Sequence, residues 1–144
     1  FPDGLFVALT LVRQSADKNT ISILNLGNPD ALLIDETIIH AKIESVGPAI
    51  GVLPATFYSD ILESRYVLTG KQLYVFSDGI IDLAVENQDL SSDDPTSIHN
   101  YLLQLNQLHG AESLDYLMTE VERHKQIDDV TIACFRSDSG LSQP

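Results

Sequence analysis

The first half of the chain alternates apolar and polar positions in short runs, as β-strands do. Six such runs are separated by residues typical of turns, and a seventh lies near the carboxyl end. We predict strands over 5–14, 20–27, 29–35, 38–45, 58–68, 71–77 and 129–136. Two hairpins are expected, one across residues 15–19 and one around Asp35 and Glu36.

The second half changes to helical spacing. Asp94 and Pro95 have the composition of a helix start, and Gly110 ends the helix that follows. We interpret the apolar stripes of this helix and the next as core-facing: Ile98, Tyr101, Leu102, Leu105 and Leu108, then Leu114, Leu117, Met118 and Val121. The segment 86–94 is predicted to be a solvated loop. Because turns rather than helices separate most strands, the pattern predicts an α+β fold with mostly antiparallel sheets.

Composition restricts the partners. The chain has 144 residues and a formal net charge of −13, so we expect neither nucleic acid nor an anionic membrane as its main partner. The single cysteine, Cys134, excludes an internal disulfide and a cysteine-based zinc cluster, and we predict that it is a small core residue. No signal peptide or membrane-spanning stretch is recognisable, so we expect a cytoplasmic location.

A carboxylate follows an apolar run in the stretch "VFSDGII", residues 75–81. One interpretation is an ordinary turn, since Asp and Gly both favour turns. The other is that Asp78 binds a cation. Asp128 and Asp129 directly precede the last predicted strand, and if that strand is an antiparallel neighbour of 71–77, these acids share one sheet edge with Asp78. Clustered carboxylates favour a hard cation such as Mg²⁺ or Mn²⁺.

Four stretches, taken in order, carry a family resemblance. They are "FVALTLVRQSADKNTISILNLGNPDALLI", "GPAIGVLPATFY", "LTGKQLYVFSDGIIDLAVEN" and "QIDDVTIACFR". Together they resemble the C-terminal portion of bacterial PP2C-like (PPM) serine/threonine phosphatases of the SpoIIE/RsbU type. The resemblance implies a β-sandwich flanked by helices, with residues 1–136 as a partial phosphatase domain and 137–144 as a polar tail.

The resemblance also implies a metal site and a substrate. By it, Asp78 and Asp128 are ligands of a two-metal Mn²⁺ or Mg²⁺ site, Gly79 lets the backbone approach the site, and Asp129 orients it. The implied reaction is hydrolysis of a phosphoserine or phosphothreonine protein. In this branch of the family the implied substrate is an anti-sigma-factor antagonist in a bacterial signalling pathway.

The sequence departs from the family pattern upstream. Two acidic motifs of the family are missing, together with its N-terminal strands and helix, and Asn28 stands where the family often has His. We expect the chain to be a fragment of a phosphatase that continues upstream into a sensor or receiver domain, and to be inactive alone. The alternative is a catalytically inactive adaptor domain that binds a regulatory protein. Unpaired sheet edges make a homodimer an expectation as well.

Overall fold

The computed structural model describes residues 4–88, 95–107, 111–124 and 129–137. The chain forms two compact units. The strand unit comprises Phe1–Val75 and Ala133–Pro144, and the helical unit comprises Phe76–Ile132. The tail predicted for 137–144 lies outside the described residues except for Ser137, which is buried.

Among the described residues, seven strands form two sheets. The first sheet has the order β1-β2-β5 and the second the order β4-β3-β6-β7. The pairs β1–β2, β2–β5, β3–β4 and β3–β6 are antiparallel, as the turn-rich pattern predicted. The strand bounds are β1 Leu9–Gln14, β2 Thr20–Leu26, β3 Ala31–Ile34, β4 Ile39–Ile43, β5 Ser64–Val67, β6 Gln72–Phe76 and β7 Ile132–Arg136.

The core of the strand unit draws apolar side chains from both sheets. Ile21 and Ile23 lie two positions apart on β2, so both point to one face of the sheet. Leu33 and Leu73 are directly opposite each other on β3 and β6. These side chains are almost fully buried, and burying each stabilises the fold by roughly 2 kcal/mol. The α+β architecture with a two-sheet core is therefore confirmed.

Two predictions for the strand unit need correction. In the run predicted over 58–68, Tyr58 is the last residue of a 3₁₀-helix, Ala55–Tyr58, and Ser64–Val67 is the part that forms a strand. Cys134 is exposed rather than buried. It lies on β7, the outer strand of its sheet, where Phe135 is packed against the core and alternation turns Cys134 away.

Three helices lie in the described part of the helical unit. They are α1 Asp78–Gln88, α2 Pro95–Gln107 and α3 Ala111–Arg123. The sequence pattern predicted α2 and α3 but treated the start of α1 as a turn. Within α1 the buried residues Ile80, Leu83 and Ala84 have the spacing of a helix face. On α3 the prediction was partly wrong, because Leu114 and Met118 are exposed while Leu117 is buried.

Charged side chains at the end of α3 include a buried carboxylate and a histidine that contacts α1. Glu120 of α3 is buried, and its Oε1 lies 3.0 Å from Arg123 Nη1. Its Oε2 lies 3.7 Å from Nε2 of His124, whose Nδ1 is 2.5 Å from Glu86 Oε2 on α1. A buried carboxylate is costly unless charged or hydrogen-bonding groups surround it. Arg123 pairs with Oε1, whereas Oε2 has no hydrogen-bond partner. His124, directly after α3, contacts α1 through Glu86.

Gly27 provides a test of the packing between two loops. Its φ is +76°, and an added Cβ would lie 2.7 Å from the backbone nitrogen of Ala49. Gly70 has a similar φ of +69° with nothing within 4 Å, so it is a matched control. We expect Gly70→Ala to lower the free energy of unfolding by about 1–2 kcal/mol. We expect Gly27→Ala to cost about 1–3 kcal/mol more, because the backbone must shift. Equal losses in urea unfolding would contradict the close approach.

The hydrogen bonds of the Asp35 carboxylate lead us to predict that the stability of the fold depends on pH. Its Oδ2 lies 2.6 Å from His40 Nε2, and its Oδ1 accepts hydrogen bonds from the N–H groups of Ile38 and Thr37 and from the Thr37 hydroxyl. These bonds, that with His40 foremost, hold the pKa of Asp35 well below its ordinary value of 3.8. A lowered folded pKa stabilises the fold above the unfolded pKa, and this stabilisation is lost as pH falls toward the folded pKa.

We therefore expect Asp35→Asn to lower the free energy of unfolding at pH 7. The difference from the wild type should shrink as the pH is lowered below about 4. Urea unfolding at a series of pH values between 7 and 3 measures this. A difference that stays constant over that range would show that the charge of Asp35 is not the stabilising feature.

Candidate metal-binding site where β6 meets α1

Asp78 is the first residue of α1 and follows β6 after one residue, Ser77. Its side chain is exposed, and its Oδ1 accepts a hydrogen bond of 3.1 Å from the N–H of Gly79. A carboxylate in the first turn of a helix interacts favourably with the helix dipole. In the described part of the chain, no Lys or Arg forms an ion pair with Asp78. The carboxylate is therefore accessible to a cation.

Hydrogen bonds join this position to the start of β7. The N–H of Ser77 donates to the carbonyl oxygen of Thr131 at 2.9 Å. The N–H of Thr131 donates to Ser77 Oγ at 2.9 Å, and Ser77 Oγ donates to the carbonyl oxygen of Asp129 at 3.0 Å. The end of β6 thus meets the beginning of β7, so these neighbouring strands are antiparallel. Because the two strands are antiparallel, Asp78 after β6 and Asp129 before β7 lie toward the same end of the sheet.

The structure tests the predicted roles of the other site residues to different extents. Asp129 is exposed. Asp128 lies outside the described residues, so its role as a ligand stays a prediction. Gly79 is buried inside α1 and is not one of the described glycines with a positive φ. The backbone freedom of glycine is therefore not needed at Gly79, and its role in letting the backbone approach a metal stays a prediction.

The donor chemistry of these residues fits a hard divalent cation. Carboxylate oxygens are the ligands that Mg²⁺ and Mn²⁺ prefer. The number of ligands is too small, however. The described ranges contain no group of three or more His, Cys, Asp or Glu side chains that could hold a metal ion. Of the two predicted ligands, Asp78 alone lies within the described residues, and it supplies one part of a coordination shell.

Sequence reasoning missed two features of this site. The first is that Asp78 begins a helix, which the spacing of Ile80, Leu83 and Ala84 could have indicated. The second is the hydroxyl of Ser77, which bonds to the Asp129–Thr131 segment. Only the strand pairing brings Ser77 close to residues more than 50 positions away, so no local signal could have shown it.

A family model for Stage II sporulation protein E (SpoIIE) matches residues 1–138. The chain belongs to the SpoIIE family. This match confirms the family resemblance. The PP2C-like fold that the resemblance implied is also found in similar solved structures. Among curated protein sequences, no match to the chain is found.

Two solved structures of the phosphatase domain of the cell fate determinant SpoIIE from Bacillus subtilis are similar in fold. The Mn-presoaked structure has a TM-score of 0.61 and 23% sequence identity over 95% of this chain and 58% of that chain. The other has a TM-score of 0.57 and 20% identity over 94% of this chain and 60% of that one. This SpoIIE-family chain therefore spans less than two thirds of either solved chain. In its described residues no helix is long and apolar enough to cross a membrane.

Proposed function

We propose that the protein containing this chain is a Mn²⁺- or Mg²⁺-dependent phosphatase of phosphoserine or phosphothreonine proteins. Membership of the SpoIIE family supports the reaction class. The observation that carries the proposal is the hydrogen bonding between Ser77 and the Asp129–Thr131 segment. It brings two carboxylate-bearing turns together at one end of a sheet.

In this proposal Asp78 and Asp128 bind the metal, while Gly79 and Asp129 support the site. The bound ions supply an activated water and positive charge near the phosphate. The chain itself holds the exposed carboxylate of Asp78 at the start of α1. Positive charge is needed because the chain has a net charge of −13, which repels a phosphate dianion. Cations at the carboxylates would reverse that repulsion locally.

The biological setting is also proposed from the family. The substrate would be a phosphorylated regulatory protein of the anti-sigma-factor-antagonist type in the cytoplasm. An upstream sensor or receiver domain would control the activity. A homodimer remains part of the proposal, since the outer strands β1, β5, β4 and β7 end the two sheets.

A second candidate function is an inactive adaptor that binds a regulatory protein through the same face. The incomplete donor set of the described residues favours it. Under both candidates we expect the 144-residue chain alone to show little or no phosphatase turnover, because Mg²⁺ requires near-ideal octahedral coordination.

The test is Mn²⁺-dependent phosphate release from a phosphoserine protein by the full-length parent. We expect Asp78→Asn to lower the turnover by about 100-fold or more, because it removes a ligand of the cation whose positive charge stabilises the reacting phosphate. Asp82→Asn is the matched control, since Asp82 is another exposed carboxylate one turn further along α1. It should keep its activity.

Folding must be measured on the same proteins. Because Asp78 is exposed, we expect Asp78→Asn to change the free energy of unfolding by no more than about 1 kcal/mol. Full activity in the Asp78→Asn protein would contradict its role as a ligand. A parent that binds a regulatory protein but releases no phosphate would establish the adaptor instead.

A further inference from the structure

The outer face of the sheet β1-β2-β5 is apolar at positions where a sheet in contact with water is usually polar. On β1 and β5, alternate residues pack against the core, among them Val12 and Tyr66, and the residues between them face outward. The outward side chains include Leu11, which is 53% exposed, and Val67, which is 58% exposed. Antiparallel sheets with one face in water usually carry polar residues on that face. This outer face therefore has the composition of a surface that another element covers.

Two arginines lie in one row across the same outer face. Arg13 on β1 and Arg65 on β5 both lie opposite Ser22 of the middle strand, β2. Arg13 forms an ion pair with Glu63, whereas Arg65 forms no ion pair with any of the described residues. The outer face thus combines apolar side chains with positive charge, in a chain whose net charge is −13. An element that carries apolar and acidic side chains together would be complementary to it.

Helix α3 has this complementary composition. Among the described residues of the helical unit, the exposed large apolar side chains are Leu114, which is 60% exposed, and Met118, which is 53% exposed. They lie four positions apart and form one stripe on the helix surface. Asp115 and Glu122, both exposed, lie three and four positions from Met118 and place negative charge beside the stripe. The two apolar side chains are about 6 Å apart along the helix, close to the spacing of about 7 Å between outward residues of a strand.

We propose that this chain self-associates, with α3 of one copy lying on the outer face of the sheet β1-β2-β5 of a second copy. The stripe formed by Leu114 and Met118 covers the apolar part of that face, and the carboxylates beside the stripe pair with Arg65. Each copy offers one surface of each kind. The contact is separate from the strand edges, and it does not depend on the proposed metal-dependent function.

The net charge of the chain opposes association, so the local contact must outweigh it. Each copy carries a charge of −13. At physiological ionic strength, exposed charges more than about 8 Å apart are largely screened from each other. Charges that meet inside an interface are screened much less, so the pairing of Arg65 with the carboxylates of α3 favours the contact. Burial of the exposed apolar side chains on both surfaces supplies most of the attraction.

Two variants each disable one of the surfaces. Arg65→Glu reverses the charge on the outer face of the sheet, and Met118→Lys places a positive charge in the stripe of α3. Lys42→Glu, on β4 of the other sheet, and Thr119→Lys, elsewhere on α3, are controls that make a matching change of charge outside the two surfaces. All four positions are exposed, so we expect each variant to fold, and urea unfolding checks this.

Self-association is measured by sedimentation velocity of the 144-residue chain over a range of concentrations at physiological ionic strength. We expect the wild type to associate as its concentration rises. Arg65→Glu and Met118→Lys should each weaken the association by about 10-fold or more, because each brings like charges into contact. The two controls should stay within about twofold of the wild type, because screened charges outside the contact interact weakly.

An equimolar mixture of Arg65→Glu and Met118→Lys should associate again. The first variant keeps an intact α3 and the second keeps an intact sheet face, so one complete contact can form between them. Such recovery requires that the surface around residue 65 of one copy meets the surface around residue 118 of the other.

Three results would overturn the inference. A wild-type chain that stays monomeric at every concentration forms no such contact. Association that the two variants leave unchanged, or that their mixture does not restore, uses other surfaces such as the strand edges. If the full-length parent stays monomeric at concentrations where the 144-residue chain associates, another part of the parent covers one of the two surfaces instead. None of these results bears on the proposed phosphatase function.

Discussion

The pairing between the end of β6 and the beginning of β7 is the constraint on which the site depends. It brings together two turns that are about 50 residues apart in sequence, each carrying acidic residues. Like charges brought close together repel, and a bound cation offsets this repulsion. The backbone bonds at Ser77 and Thr131 hold the turns together against that repulsion. A cation between the turns would then bind to ligands that the fold has already placed.

The helical unit begins and ends at this pairing. Its first residues, Phe76 to Asp78, leave β6, and its last ones, Asp129 to Ile132, lead into β7. All three helices thus lie in sequence between the two turns of the site. Within the unit, the bond from Ile80 to Ser77 fixes the start of α1. The contact of Glu86 with His124, which directly follows α3, joins α1 to the end of α3. The helix that carries Asp78 at its start is therefore held near both of its ends.

Much of this arrangement could be predicted from the sequence, because local patterns determine it. Alternation and turn residues predicted the hairpin of β1 with β2, and an N-cap followed by proline predicted the start of α2. Local patterns gave wrong predictions where the position of a residue in the folded chain decides its burial or its secondary structure. Cys134 looks like a core residue until β7 is known to be the outer strand of its sheet, and the Asp-Gly pair looks like a turn until Ile80 and Leu83 are seen to be buried. The link from Ser77 to Asp129 depends on strand direction, which no single stretch encodes.

Paramagnetic broadening by Mn²⁺ tests the central claim most directly. Substoichiometric Mn²⁺ is added to the isotopically labelled chain, and the loss of each amide signal is measured; the method detects weak binding, such as we expect for the chain alone. Our account predicts that the amides of Ser77, Gly79 and Asp129 broaden first, and that Mg²⁺ reverses the effect by competition. Broadening centred on another acidic position, such as Asp35, or spread evenly over the acidic surface would contradict it.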